Sequence, residues 1–200
     1  MIELWDWRRR VAQLYAEARA SDDPEAAWQQ WRAGRDNLFG DHPQSPLAAA
    51  ARPSFAGIRY FDYDSAYRLH VKLNPVDGTP EVLDAGDDGA VSLIPFAVTR
   101  GLRRRLGGEL TLYWIGSYGG GALVPFRDAT SGDTTYGGGR YLLDTVKGAD
   151  LGCASDGQTV FDFNYAYNPS CAYSRHWVCP LAPSDNHLPA AIEAGELTPP

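Results

Sequence analysis

The chain has 200 residues, 44% hydrophobic and 22% charged, with a formal net charge of -7. That length and apolar share suit one globular domain with a substantial core and exclude a globally disordered chain. The acidic balance argues against nucleic acid and anionic membranes as partners, since phosphate binding is driven mainly by Lys and Arg releasing counterions.

The first forty residues read as two helices. Leu4, Trp7, Val11, Leu14 and Ala18 recur at three- and four-residue spacing, one buried helical stripe. SDDPE at 21–25 restarts the helix: Asp22 or Asp23 caps free N–H groups, Pro24 fits the first turn, and Glu25 complements the positive end. Trp28, Trp31, Arg35 and Leu38 then share a face, and the prolines of DHPQSPL at 41–47 bar continuation beyond Gly40. The stretch MIELWDWRRRVAQ lacks a signal peptide's apolar run and cleavage site, and nothing approaches the roughly 18 apolar residues of a membrane span. A cytoplasmic location is therefore expected, where thiols stay reduced. The arginine runs Arg8–Arg10 and Arg103–Arg105 are short enough to be solvated faces or strand ends.

From Phe55 the pattern changes to short strands rich in aromatic and β-branched residues: IRYFDY, YRLHVKL, PEVLD, VSLIPFAVTR and ELTLYWIGSY, then ALVPFR, GRYLLDTV and TVFDFN. Turn signals NPVDG, AGDDG and RLGG separate the first five. Strands at about ten-residue spacing without intervening helices predict an antiparallel barrel or sandwich. Pro95 marks an edge or bulge, and His70 shares the exposed face of its strand with Arg68 and Lys72. A short helical turn is expected at PAAIEAGE. The predicted fold is α+β and mostly β. It is a single domain: a helical pair at 1–40, an antiparallel β core at 55–165, and an irregular cap at 166–200.

Two segments are dense in groups that can do chemistry. FRDATSGDTTYGGGRY (126–141) combines hydroxyls, carboxylates and guanidinium groups with glycines that let backbone approach a ligand. It is not a phosphate-binding loop, because GGGR precedes a strand rather than a helix N-terminus. One reading has Asp128, Thr130 and Ser131 satisfying the backbone of a wide turn. The other has Arg127 or Arg140 holding an anionic group of a small ligand. The second segment is DFNYAYNPSCAYSRHWVCPLAP (162–183). Phe161, Phe163, Tyr165 and Tyr167 alternate with Asp162, Asn164, Ala166 and Asn168, which predicts a strand with rings on one face and short polar groups facing a pocket.

RDATSGDTTYGGGRYL, DFNYAYNPSCAY, CPLAPSDNHL and the HPQSPL motif near the helices resemble the DUF1684 family, bacterial and archaeal proteins of unknown function. The resemblance runs from about Arg32 to Glu196. The chain departs from the family pattern at Thr134, where the family has Glu, and at Asp185-Asn186-His187, where it tends to have Glu-Asn-Arg. A mechanism using the first of those carboxylates would be absent here or moved to Asp133 or Asp128.

The cysteines stay open among four readings. A zinc clip would need His176 and His187 beside Cys171 and Cys179 without the usual close pairing. A nucleophilic Cys171 would take His42, from the family-like motif, as its base. The two sulfurs suit a disulfide at this separation, or both are small apolar side chains of a rigid cap. The functional reading is a small-molecule site, possibly enzymatic. Asp128, Tyr136, Cys171 and His42 are its candidate proton-handling or nucleophilic groups. Arg127, Thr130, Ser131, Arg140, Asp162, Asn164 and Asn168 are its candidate binding groups. No metal is assigned and the cofactor is unknown. The alternatives are a binding module without catalysis and a structural or protein-interaction domain.

Overall fold

The computed structural model describes residues 1–84, 90–116 and 118–199. The expected AGDDG turn, residues 85–89, lies outside them. Helices α1 (Ile2–Ala20) and α2 (Pro24–Asp41) form an N-terminal pair. Asp23 caps α2, its carboxylate accepting from the N–H groups of Glu25 and Ala26 at 3.1 and 3.0 Å. The expected stripe of α2 is buried through Trp28, Trp31, Arg35 and Leu38. Trp31 lies edge-on to Tyr15 of α1 at 5.7 Å and packs on Tyr165 at 4.7 Å, which docks the pair onto the β structure. Each such ring contributes roughly 1.5–3 kcal/mol of burial energy.

Seven strands follow: β1 (Arg68–Pro75), β2 (Glu81–Asp84), β3 (Ala90–Arg100), β4 (Thr111–Gly116), β5 (Ala122–Phe126), β6 (Arg140–Asp144) and β7 (Thr159–Asp162). A one-turn helix α3 (Arg103–Leu106) carries the second arginine run on its solvent side. The sheet is antiparallel with order β6-β5-β4-β3-β1-β7, and β2 adds to β3. Tyr141 of β6 and Tyr167, just beyond β7, exchange backbone hydrogen bonds at 2.8 and 3.0 Å. That bridge nearly closes a barrel, so few ladder groups are left as an edge. Pro95 has no N–H to donate, and β3 accommodates it with a bulge between Pro95 and Ala97.

Alternating strand residues feed two apolar clusters. Leu112, Val124, Phe126 and Phe161 join one; Tyr113, Leu123 and Tyr141 join the other, with Val11, Tyr15 and Trp31 of the helices. Both faces of the sheet are thus covered.

Three expected elements take a different form. IRYFDY is no strand. It keeps a single bridge from Tyr60 to Glu196, and the Asp36 carboxylate accepts from the N–H of Ile58 at 2.9 Å. PAAIEAGE makes no helical turn, because its carbonyls are taken by a buried arginine instead. The strand of TVFDFN ends at Asp162, whose carboxylate accepts from the Asn164 N–H at 3.0 Å and turns Phe163–Tyr165 into 3₁₀ helix. The predicted alternation therefore fails from residue 163 on. Phe161 to Pro169 are all buried, rings and polar groups alike.

Candidate functional site

The two polar segments do meet in space, and the chain's own C-terminal stretch, residues 192–198, lies between them. Asp128 is buried. Its Oδ1 accepts from the Thr130 N–H at 2.7 Å and hydroxyl at 2.5 Å, and its Oδ2 accepts from Arg140 at 2.7 Å. Arg140, also buried, donates onward to the carbonyls of Ile192, Ala194 and Glu196 and lies over the Phe126 ring. Burial pushes its pKa down, with the Asp128 charge opposing. The Ser131 hydroxyl accepts from the Asp128 N–H, and Thr130 bonds Thr135. Gly139 takes φ +90 because a Cβ there would lie 2.5 Å from the Phe126 carbonyl. Arg127 pairs its backbone with Asn186 and Leu188, and its side chain makes no ion pair among the described residues.

The second segment is engaged in the same way. Asp162 accepts from Arg68 at 3.0 Å and from the Asn164 amide at 2.8 Å; burial pushes its pKa up against those bonds. Asn164 reads both backbone groups of Asp64. Asn168 donates its side-chain amide to the Leu197 carbonyl, and its N–H to Glu196. Glu196, invisible as a site residue in the sequence, is the hub. It is fully buried, ion-paired with Arg35, and bonded by the hydroxyls of Tyr60 and Tyr173. Nothing in AGEL marks it out, because its partners are at positions 35, 60, 168 and 173.

His42 has both ring nitrogens occupied. Its Nδ1 accepts from the Gln44 N–H, which leaves Nε2 to donate to Asp6 at 3.3 Å. It is therefore committed away from Cys171. It borders a cavity of about 530 Å³, a groove between α1 and α2 lined by Glu3, Asp6 and Asp41 among others.

A second cleft of about 340 Å³ runs between α1, β6 and the cap and is lined by Arg8, Tyr141, Asp144, Lys147, Ser170 and Cys179 among others. Behind it, sharing Trp7, Lys147 and Ser170 as walls, is a chamber of about 30 Å³ that Tyr15, Arg35 and Asn168 line. The Tyr15 hydroxyl and the Asn168 Oδ1 are buried there without a hydrogen-bond partner. Such atoms cost about 1–3 kcal/mol each when left unpaired. Lys147 pairs with the buried Asp144 at 2.9 Å, and Tyr167 donates to the same carboxylate at 3.1 Å. Arg8 makes no ion pair among the described residues.

Cys179 is held in this wall because the Tyr141 hydroxyl donates to the Pro180 carbonyl at 2.6 Å. Cys171 sits in a 3₁₀ turn, Ser170–Ala172. Its N–H donates to Cys179 Sγ at 3.4 Å, and Tyr136 Oη lies 3.8 Å from Cys171 Sγ. The closeness of the two cysteines holds the Cys179 pKa below the usual thiol range and the Cys171 pKa above it. The Lys147 charge helps the first. Burial pushes Tyr136 up to about 12. All three cysteines carry free thiols, and among the described residues no three His, Cys, Asp or Glu side chains converge as metal ligands. No described helix is long and apolar enough to cross a membrane.

Comparisons with known proteins agree with this architecture. The family profile described as "Protein of unknown function (DUF1684)" matches residues 53–197. The solution NMR structure of the uncharacterized protein from gene locus rrnAC0354 of Haloarcula marismortui is similar, with 34% identity and a TM-score of 0.58; the match covers 87% of this chain and 94% of that one. No curated protein matches.

Proposed function

The chain belongs to the DUF1684 family of proteins of unknown function, and from that premise we propose that it binds a small anionic molecule in the cleft between α1, β6 and the cap. The observation that carries this reading is the pair of unpartnered buried atoms, Tyr15 Oη and Asn168 Oδ1, in the chamber behind a cleft that Arg8 and Lys147 line. A carboxylate would lie between Lys147 and Arg8, while an amino or hydroxyl group reaching inward would donate to Asn168 Oδ1. The ligand class is therefore a small amino or hydroxy acid.

The test is a titration of ¹⁵N-labelled protein with amino acids, hydroxy acids and inorganic phosphate. Saturable shifts at the Ser170, Val178 and Cys179 amides are expected with the acids, and these should be lost in Lys147→Met. If none of the compounds moves those amides, the cleft is no ligand site.

A second reading concerns the 126–141 segment, and the buried Asp128–Arg140 pair favours it. That segment acts as a clamp that fixes residues 192–196 to the barrel, rather than as a ligand-binding loop.

A further inference from the structure

We propose that Cys179 and Cys171 are a redox-active thiol pair that exchanges electrons with a small disulfide admitted by the cleft. The proposal rests on the reading of the cleft as a small-molecule site for the carboxylates such a disulfide carries; the thiol chemistry stands on its own geometry.

Three features set this pair apart from two buried structural thiols. The Cys179 sulfur lines the cleft, so an electrophile can reach it. The backbone N–H of Cys171 donates to it at 3.4 Å, and the Lys147 charge acts in the same direction on its pKa. A donor and a positive charge stabilise a thiolate, the form that attacks. The Cys171 N–H lies 3.4 Å from the Cys179 sulfur, which sets the two cysteines side by side, so a short approach of the sulfurs would make an S–S bond of about 2 Å. The division of labour follows from the same contacts. Cys179 carries the negative charge and faces the cleft, and Cys171 holds the proton and lies behind it near Tyr136.

The exchange balances as follows. The Cys179 thiolate attacks one sulfur of a disulfide RSSR; a Cys179–SR bond forms, the RS–SR bond breaks, and RS⁻ departs. Cys171 then attacks the Cys179 sulfur, forming the internal disulfide and expelling the second RS group, which leaves with the Cys171 proton as RSH. The protein loses two electrons and the small disulfide gains them.

L-cystine is a suitable probe because it carries both carboxylates and amino groups. Reduced full-length protein with the exposed Cys153 replaced (Cys153→Ser) is mixed with it, quenched with iodoacetamide at intervals, and read by intact mass and peptide mapping. Loss of two hydrogens and a linked Cys171–Cys179 peptide are expected. With Cys171→Ser added, the reaction should stop at a cysteinyl adduct on Cys179. With Cys179→Ser added, reaction at Cys171 should be slower by about tenfold or more, because an ordinary thiol is only a few per cent thiolate at neutral pH. Absence of the internal disulfide in the Cys153→Ser protein overturns the proposal, whether or not the further variants fold. Equal rates at the two cysteines overturn the assigned roles. The two readings also part cleanly. If the disulfide forms at an unchanged rate in Arg8→Met, the thiol pair stands and the anion-binding cleft fails. If cystine shifts the cleft amides saturably but no bond forms, the cleft stands and the thiol pair fails.

Discussion

Asp128 and Arg140 show how one side chain's role is decided by what surrounds it. Both are almost fully buried, and each supplies the charge that makes the other tolerable. Removing one partner strands the other, which costs about 3–5 kcal/mol. Asp128→Ala is therefore expected to lower unfolding free energy by that amount in urea. Asp185→Ala, at an exposed position, should stay within about 0.5 kcal/mol. A loss below about 1 kcal/mol for Asp128→Ala would contradict the clamp. Asp162 adds a pH signature. Its folded pKa is raised by burial, so it holds a proton that the unfolded chain has released. Stability then falls as pH rises from the ordinary carboxylate value, near 3.9, through the raised one. The advantage of the wild-type protein over Asp162→Asn should be larger below that window than at neutral pH, measured as paired denaturation curves. An advantage constant with pH would mean that folding leaves the Asp162 pKa where it is in the unfolded chain.

Among the elements, the β3–α3–β4 connection depends on one carboxylate. Glu109 accepts from the N–H groups of Gly101, Leu102 and Arg103 at 3.1, 3.2 and 3.0 Å and from the Thr99 hydroxyl at 2.7 Å. Burial works to raise its pKa, but these donors outweigh it and hold the carboxyl below its usual range. A depressed pKa contributes stability above the unfolded value that is lost as pH falls through the folded one. Glu109→Gln should therefore cost about 1 kcal/mol at neutral pH, as the loss of a helix cap does, and progressively less on acidification. The check is thermal unfolding of both proteins across that range; a difference independent of pH would exclude the carboxylate's charge as the cause. The β7 segment shows why periodicity misleads locally. Phe161 to Asn168 alternates apolar and polar like a strand, yet the Asp162 side chain turns the backbone two residues later. A capping aspartate and a pocket-facing one have the same place in the pattern.

On the scale of the whole molecule, the C-terminal stretch locks the barrel. Arg35 from α2, Arg140 from β6, Asn168 from the cap and Arg59 all bond residues 192–198. Gly195 takes φ +81 where a Cβ would lie 2.6 Å from the Ala166 carbonyl, so this stretch fits without space to spare. Truncation after Ala191 removes the carboxylate partner of buried Arg35 and the carbonyl acceptors of buried Arg140 at once. The truncated chain should show no cooperative near-ultraviolet circular dichroism melt. A cooperative transition within a few degrees of the full-length one would show that the stretch is dispensable.

Sequence alone determined most of the elements whose signals are local: the two helices with the Asp23 cap, the short β strands other than IRYFDY, the bulge at Pro95, and the buried stripe from Trp28 to Leu38. Each rests on spacing or turn chemistry within about ten residues. The motifs RDATSGDTTYGGGRYL and DFNYAYNPSCAY also placed the chain in its family. Only the tertiary structure decided which of their polar groups find partners within the chain. Asp128, Arg140, Asp162 and Asn164 bond groups at positions 192, 194, 68 and 64. The same distance hid Glu196, and it hid the cleft in which Lys147 and Cys179 come together. Charge and hydrogen-bonding capacity are written in the residue types. Which of them remain unpaired depends on contacts between residues far apart in the chain, and those exist only once the chain has closed.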